Sequence, residues 1–93
     1  MKVTVASYIA EYIGTFFFIL AIFASGGNPL IIGAALMLVI FLVANISGGY
    51  ANPAVSLAMY MNGSLKPIDL FIYVFAQLLG GVSAYYAYNM VKA

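Results

Sequence analysis

The stretch Ile46-Ser47-Gly48-Gly49-Tyr50-Ala51-Asn52-Pro53-Ala54-Val55-Ser56 constrains the fold of this chain more than any other. It stands between long apolar runs, yet it carries the residues that stop a helix and then start another. Gly48 and Gly49 let the backbone leave helical geometry. Asn52 suits an N-cap, and Pro53 suits the first helical position, where a missing N–H costs nothing. The new helix, residues 53–62, is about ten residues, or ~15 Å long. That is half of a ~30 Å hydrocarbon layer. A half-length helix whose capped end points into a membrane must be surrounded by protein or line a wet cavity, because its turn leaves backbone groups unsatisfied. The stretch reads as a re-entrant segment.

The composition places it in a bilayer. Of 93 residues, 67% are hydrophobic and 5% charged, and no soluble domain this size could cover its surface with three basic and two acidic side chains. A net charge of +1 without a basic cluster excludes nucleic acid as a partner. Without Cys or His there is no disulfide framework and no thiolate or imidazole metal site. No cofactor is implied. No nucleophile–base pair and no metal-ligand set is visible, so an enzyme is not expected.

The first span covers about residues 5–24, enough to cross a bilayer. It is too long for a removable signal peptide and lacks a small-residue cleavage site before a polar region. Ser7, Glu11, Gly14, Thr15 and Phe18 share one helical face. A carboxylate as deep as Glu11 marks an interior site with a partner. Bracing a neighbouring irregular backbone is the favoured role, because no second buried acid or base is available for proton relay. Ser25 to Pro29 is a turn by composition. The second span covers 30–46, with Gly33, Ala34 and Ala35 small enough for a close helix crossing. Asn45 at its end could face a lumen or satisfy the loop backbone, the second being favoured. After a polar turn, Pro67 opens the third span, 67–90, with Asp69 in its first turn to complement the helix dipole. Ala76, Gly80 and Ala84 form a ridge for close packing, and Gln77 beside them can hydrogen-bond across the interface. The clustered tyrosines suit the headgroup region or helix packing. The expected fold is an all-α membrane protein, three full crossings plus one half-helix, in a single unit over residues 1–93.

Three blocks in order resemble the aquaporin and glycerol-facilitator family, the major intrinsic proteins, and cover nearly the whole chain. They are Ala10-Glu11-Tyr12-Ile13-Gly14-Thr15-Phe16-Phe17 in the first span, Ile46-Ser47-Gly48-Gly49 with Asn52-Pro53-Ala54-Val55-Ser56 in the loop, and Ala76-Gln77-Leu78-Leu79-Gly80-Gly81 in the third span. The resemblance is to the first half of the family pattern. It implies a multi-pass protein of the cell membrane and a lumen lined by Gly48, Gly49, Tyr50 and Ala51, with Asn52, Pro53 and Ala54 at the half-helix. Glu11, Gln77 and Asn45 would brace the loop. Ile32 would stand where the family often has an aromatic filter residue, and Val55 matches the position that carries the filter Arg in the second repeat. Asn45 stands where the family usually has His, and Tyr50 where it often does.

A family pore needs two repeats in inverted relation, and one is present here. The expectation is therefore a half-size channel subunit passing water and small neutral solutes such as glycerol. It would pair with an inverted copy of itself, as a dual-topology dimer or a higher oligomer, or with another repeat of the family. The alternatives are a non-conducting modulator of a larger channel, or the truncated first half of a full-length one.

Overall fold

The computed structural model describes residues 1–92 and consists of four helices. They are α1 (Val5–Ala24), α2 (Pro29–Ser47), α3 (Pro53–Met61) and α4 (Pro67–Val91). α1, α2 and α4 are each long and apolar enough to cross a membrane. α3, with nine residues, is not.

Local chemistry sets the helix ends. Asn28 caps α2, its Oδ1 accepting from the N–H groups of Leu30 (2.9 Å) and Ile31 (3.2 Å), and Pro29 fills the first helical position. The pair Asn52–Pro53 repeats this device at α3, where Asn52 Oδ1 accepts from the Ala54 N–H at 2.8 Å. Asn62 is the C-cap of α3 rather than its last residue, and α4 continues one residue past Met90. Gly48, at φ 95°, ends α2 in the left-handed region that residues with a Cβ avoid.

α1 is the central element: it packs against both α2 and α4, while α3 packs on α4. The α1 face toward the interior is Ser7, Ala10, Glu11, Gly14 and Thr15, all buried. Its other face exposes Ile9, Ile13 and Phe17, which suits lipid. On α4 the ridge Ala76, Gly80 and Ala84 is buried. A Cβ on Gly80 would lie 2.6 Å from the Tyr12 carbonyl oxygen, so the α1 and α4 backbones touch there. Tyr12 adds a polar tie to this seam by donating to Ser83 Oγ at 2.8 Å.

The small residues at the start of α2 do not make the close crossing their sizes suggested. A Cβ on Gly33 would meet nothing within 4 Å, and Gly33 and Ala34 are exposed. α1 and α2 approach at Gly14 instead, where a Cβ would stand 3.0 Å from Val39 Cγ1. Small size permits a crossing, but the direction a residue faces decides whether one forms.

Candidate functional site

The segment between α2 and α3 cannot form regular hydrogen bonds to itself. Gly48 (φ 95°), Gly49 (φ 66°) and Ala51 (φ 51°) all have left-handed backbones. For Ala51, a residue with a Cβ, such a conformation costs about 1–2 kcal/mol and persists only where the surroundings enforce it. Glu11 supplies that enforcement. Its Oε1 accepts from the Ala51 N–H (2.8 Å) and Gln77 Nε2 (2.7 Å), and its Oε2 from Ser47 Oγ (2.6 Å) and the Tyr50 N–H (3.1 Å). Four donors from α2, the loop and α4 thus converge on one buried carboxylate, whose lone pairs suit two donors per oxygen.

A second layer holds these partners. Ser47 Oγ accepts from the Gly49 N–H at 3.2 Å. The Ser47 carbonyl accepts from Tyr73 OH at 2.7 Å, and the Ile46 carbonyl from Ser7 Oγ at 2.6 Å. Gln77 Nε2 also donates to Ser56 Oγ on α3, at 2.7 Å. Gln77 therefore ties α1, α3 and α4 together. Tyr50 lies against Tyr73, with ring centroids 5.7 Å apart. Gly49 is pressed on α2, since a Cβ there would stand 3.0 Å from Ile40 Cα.

The loop N–H groups of Gly49, Tyr50 and Ala51 all point inward to this network. The carbonyl oxygens of Gly48, Gly49, Tyr50 and Ala51 meet no donor among the described residues. Beside Ala51 lies a groove of about 430 Å³, lined on one side by Ala51, Asn52 and Pro53 and on the other by Thr15, Gln77 and Gly81, while Gly48, Gly49 and Tyr50 do not line it. Asn52 is exposed there; its Oδ1 is occupied by the Ala54 N–H, which leaves the amide NH₂ without an acceptor among the described residues. Ala54 and Val55 are exposed on the first turn of α3. Two buried polar atoms on groove residues, Thr15 Oγ1 and Gln77 Oε1, lack a partner.

The structure gathers Glu11, Gln77 and the loop into one unit, and it leaves three expected site residues outside. Asn45 is exposed at the end of α2 and hydrogen-bonds nothing in the loop among the described residues, so bracing is not its role within this chain. Its place is taken by Ser47, two residues on and facing the interior. Ile32 is half-buried near the start of α2, and neither it nor Val55 lines the groove at Asn52. Ser47 and Ser56 stand in the quoted motif with no role assigned from the sequence, and Tyr73 stands in none of the motifs. Tyr73 precedes Gln77 by four residues, and Ser7 precedes Glu11 by four, so helical spacing places both pairs on shared faces. Among the described residues, no cluster of three or more His, Cys, Asp or Glu could hold a metal.

A re-entrant half-helix braced between three membrane-crossing helices defines a half repeat of the membrane-channel type. The chain belongs to the major intrinsic protein family, whose family model matches residues 2–92. It is 36% identical over 85 residues to glycerol uptake facilitator protein-like 6 of Lactiplantibacillus plantarum, which covers 83% of this chain and 39% of that protein. To aquaporin TIP1-2 of Musa acuminata it is 33% identical over 99 residues, covering 87% of this chain and 39% of the relative. To aquaporin-8 of Mus musculus it is 52% identical over 50 residues, covering 54% of this chain and 19% of that one. The chain thus spans well under half the length of the curated relatives it matches. No solved structure gives a significant match.

Proposed function

We propose that this chain is a half-size channel subunit, which forms a passive pore for water and small neutral solutes by pairing with an inverted copy of itself. The observation that carries this reading is the open N-terminus of α3, with the exposed Asn52 at the groove. A helix start carries roughly half a positive charge, and the free Asn52 NH₂ adds a hydrogen-bond donor beside it. The unpartnered carbonyls of Gly48 to Ala51 supply acceptors along the same segment. Donors next to a row of acceptors, with apolar side chains around them, can hand a water or polyol along without holding it.

The groove also supports a partner. Buried polar atoms without a partner cost about 1–3 kcal/mol each, and Thr15 Oγ1 and Gln77 Oε1 are two such atoms on residues that line it. A second half-helix seated opposite Asn52 would close the groove that these residues line and enclose the lumen. Two helix starts meeting there would repel cations, and the paired Asn52 donors would orient water oxygens and interrupt a proton-conducting chain of waters.

The direct test is stopped-flow flux in liposomes holding this protein alone, beside a proton-leak assay. Water and glycerol should both pass, because no charged side chain lines the groove and Val55 and Ile32, which stand outside it, add neither charge nor aromatic bulk to narrow it. Asn52→Asp would set carboxylates against the helix starts, and the proton leak should rise at least several-fold. Water flux without glycerol flux would refute the wide lumen. An unchanged leak in the Asn52→Asp protein would refute the role given to Asn52.

Pairing with an inverted copy requires both orientations in one membrane. Short-flank Lys and Arg set orientation. Lys2 and Lys66 stand at one end of the three crossings and Lys92 at the other, a bias of two against one. Single cysteines placed at the exposed Asn28 and Ser64, at opposite ends of the bundle, should each label from both sides of the membrane. Labelling of each from one side only would exclude the inverted homodimer and leave another repeat as the partner.

A further inference from the structure

Two of the three basic side chains of this protein converge on one cavity. Lys2, before α1, and Lys66, the N-cap of α4, line a space of about 360 Å³ together with Val3, Ser64, Leu65 and Asp69. Val3 stands two residues before the membrane-crossing α1, and Lys66 and Asp69 flank the start of α4, so the cavity lies at the level where these spans begin. No lysine is ion-paired among the described residues. Asp69 is buried and accepts from Tyr8 OH through Oδ1 at 2.7 Å, while no donor reaches its Oδ2 among the described residues. Within two residues of the lining along the chain, Val5, Met61 and Ile68 expose large apolar side chains.

Two like charges held at one cavity repel each other unless an anion lies between them. At a membrane surface, screening acts over about 8 Å at physiological salt, so both ammonium groups feel an anion seated there. The single Asp69 carboxylate carries one negative charge against two positive ones, so the three side chains together leave the cavity positive. The carboxylate does offer one acceptor to whatever the lysines hold. The exposed apolar side chains next to the lining residues in the chain would meet the hydrocarbon of a bound molecule.

We infer that this cavity is a binding site for a phospholipid headgroup, with the phosphodiester on Lys2 and Lys66 and a headgroup donor on Asp69 Oδ2. Acyl chains then run down over Val5, Met61 and Ile68. The site discriminates among lipids by chemistry. Ethanolamine has an ammonium N–H and glycerol has hydroxyls, and either can donate to Asp69. Choline is fully methylated and cannot. The site stands on the membrane-embedded fold and does not depend on whether the chain conducts.

Native mass spectrometry of the detergent-solubilised full chain, titrated separately with phosphatidylethanolamine, phosphatidylglycerol and phosphatidylcholine, tests this. The first two should bind at least about five-fold more tightly than the third. The Lys2→Gln/Lys66→Gln double variant should lose that excess, whereas Lys92→Gln should keep it. All these positions are exposed and outside the packed core, so folding is not at risk. Inorganic phosphate in the millimolar range should not displace the lipid; if it does, and lipid class makes no difference, the site binds free phosphate and the inference falls. Equal binding of phosphatidylcholine, or undiminished binding by the double variant, overturns it as well.

Discussion

The Glu11→Leu protein is expected to lose the ordered re-entrant loop. Four donors converge on the Glu11 carboxylate, two of them the backbone N–H groups of Tyr50 and Ala51. A leucine strands them all. Each buried donor without a partner costs about 1–3 kcal/mol. Even with neighbouring terms that do not add, the loss is of the same order as the roughly 5–15 kcal/mol that holds a typical domain together. Ala51 would also lose the contact that enforces its left-handed backbone. Glu11→Gln should fold but suffer, because an amide NH₂ must replace one of two acceptor oxygens. On either side it then faces a backbone N–H. Gln77 can flip and present its unpartnered Oε1, and Ser47 can rotate its hydroxyl, but neither backbone N–H can reverse. The expected cost of Glu11→Gln is therefore one donor, about 1–3 kcal/mol. Hydrogen exchange at Tyr50 and Ala51, read beside thermal unfolding in detergent, measures both effects. Protected amides in the Glu11→Leu protein would show that something other than the carboxylate holds the loop.

Gly80→Ala should also loosen the fold, by less and through packing alone. Its added methyl would stand 2.6 Å from the Tyr12 carbonyl, 3.2 Å from the Phe16 nitrogen and 3.2 Å from Thr15 Cβ. Two of these neighbours are backbone and cannot step aside by changing rotamer. Overpacking of this kind costs about 1–3 kcal/mol, and the α1–α4 seam must open to admit it. Gln77 stands one helical turn before Gly80, so the same opening would lengthen its 2.7 Å bond to Glu11. The loop should loosen although no loop residue has changed. Gly81→Ala is the control, since its methyl would lie 3.8 Å from Ile19 Cγ1, an ordinary contact. It should be neutral or slightly stabilising, because alanine favours a helix over glycine by about 1 kcal/mol. Equal unfolding temperatures for the two variants would refute the account of the seam.

The contrast between Gly80 and Gly33 shows how far the sequence could be read. Both glycines lie in apolar runs and both invite a close crossing. Only Gly80 belongs to a ridge, Ala76–Gly80–Ala84, that recurs every four residues and so lines one face. Gly33 has small neighbours at the next two positions, which point in different directions around the helix. Periodicity carries information about faces, whereas composition carries none. The same distinction separates Ser47 from Asn45. Both are polar residues near the end of α2, but two positions apart on a helix is more than half a turn, and only Ser47 faces Glu11.

What the sequence determined by itself is local or statistical in its physics. Long apolar runs with at most one charged residue each dictate three membrane crossings. Glycine, asparagine and proline in close order dictate a stop and a restart, because they act through backbone geometry and caps that need no distant partner. A carboxylate at Glu11 within such a run dictates that some partner exists. The tertiary structure alone decided which partners. Glu11 meets Tyr50 and Ala51 through their N–H groups, which every residue but proline possesses, so nothing in the identity of those two residues announces the contact. Tyr73 reaches the Ser47 carbonyl, and Gln77 reaches both Glu11 and Ser56, across 21 to 66 positions of chain. Those distances close only when Gly80 lets α4 settle against α1 and Gly14 lets α2 settle on its other side. The site is made of backbone held in place by packing, and backbone is the part of a protein that a sequence does not spell.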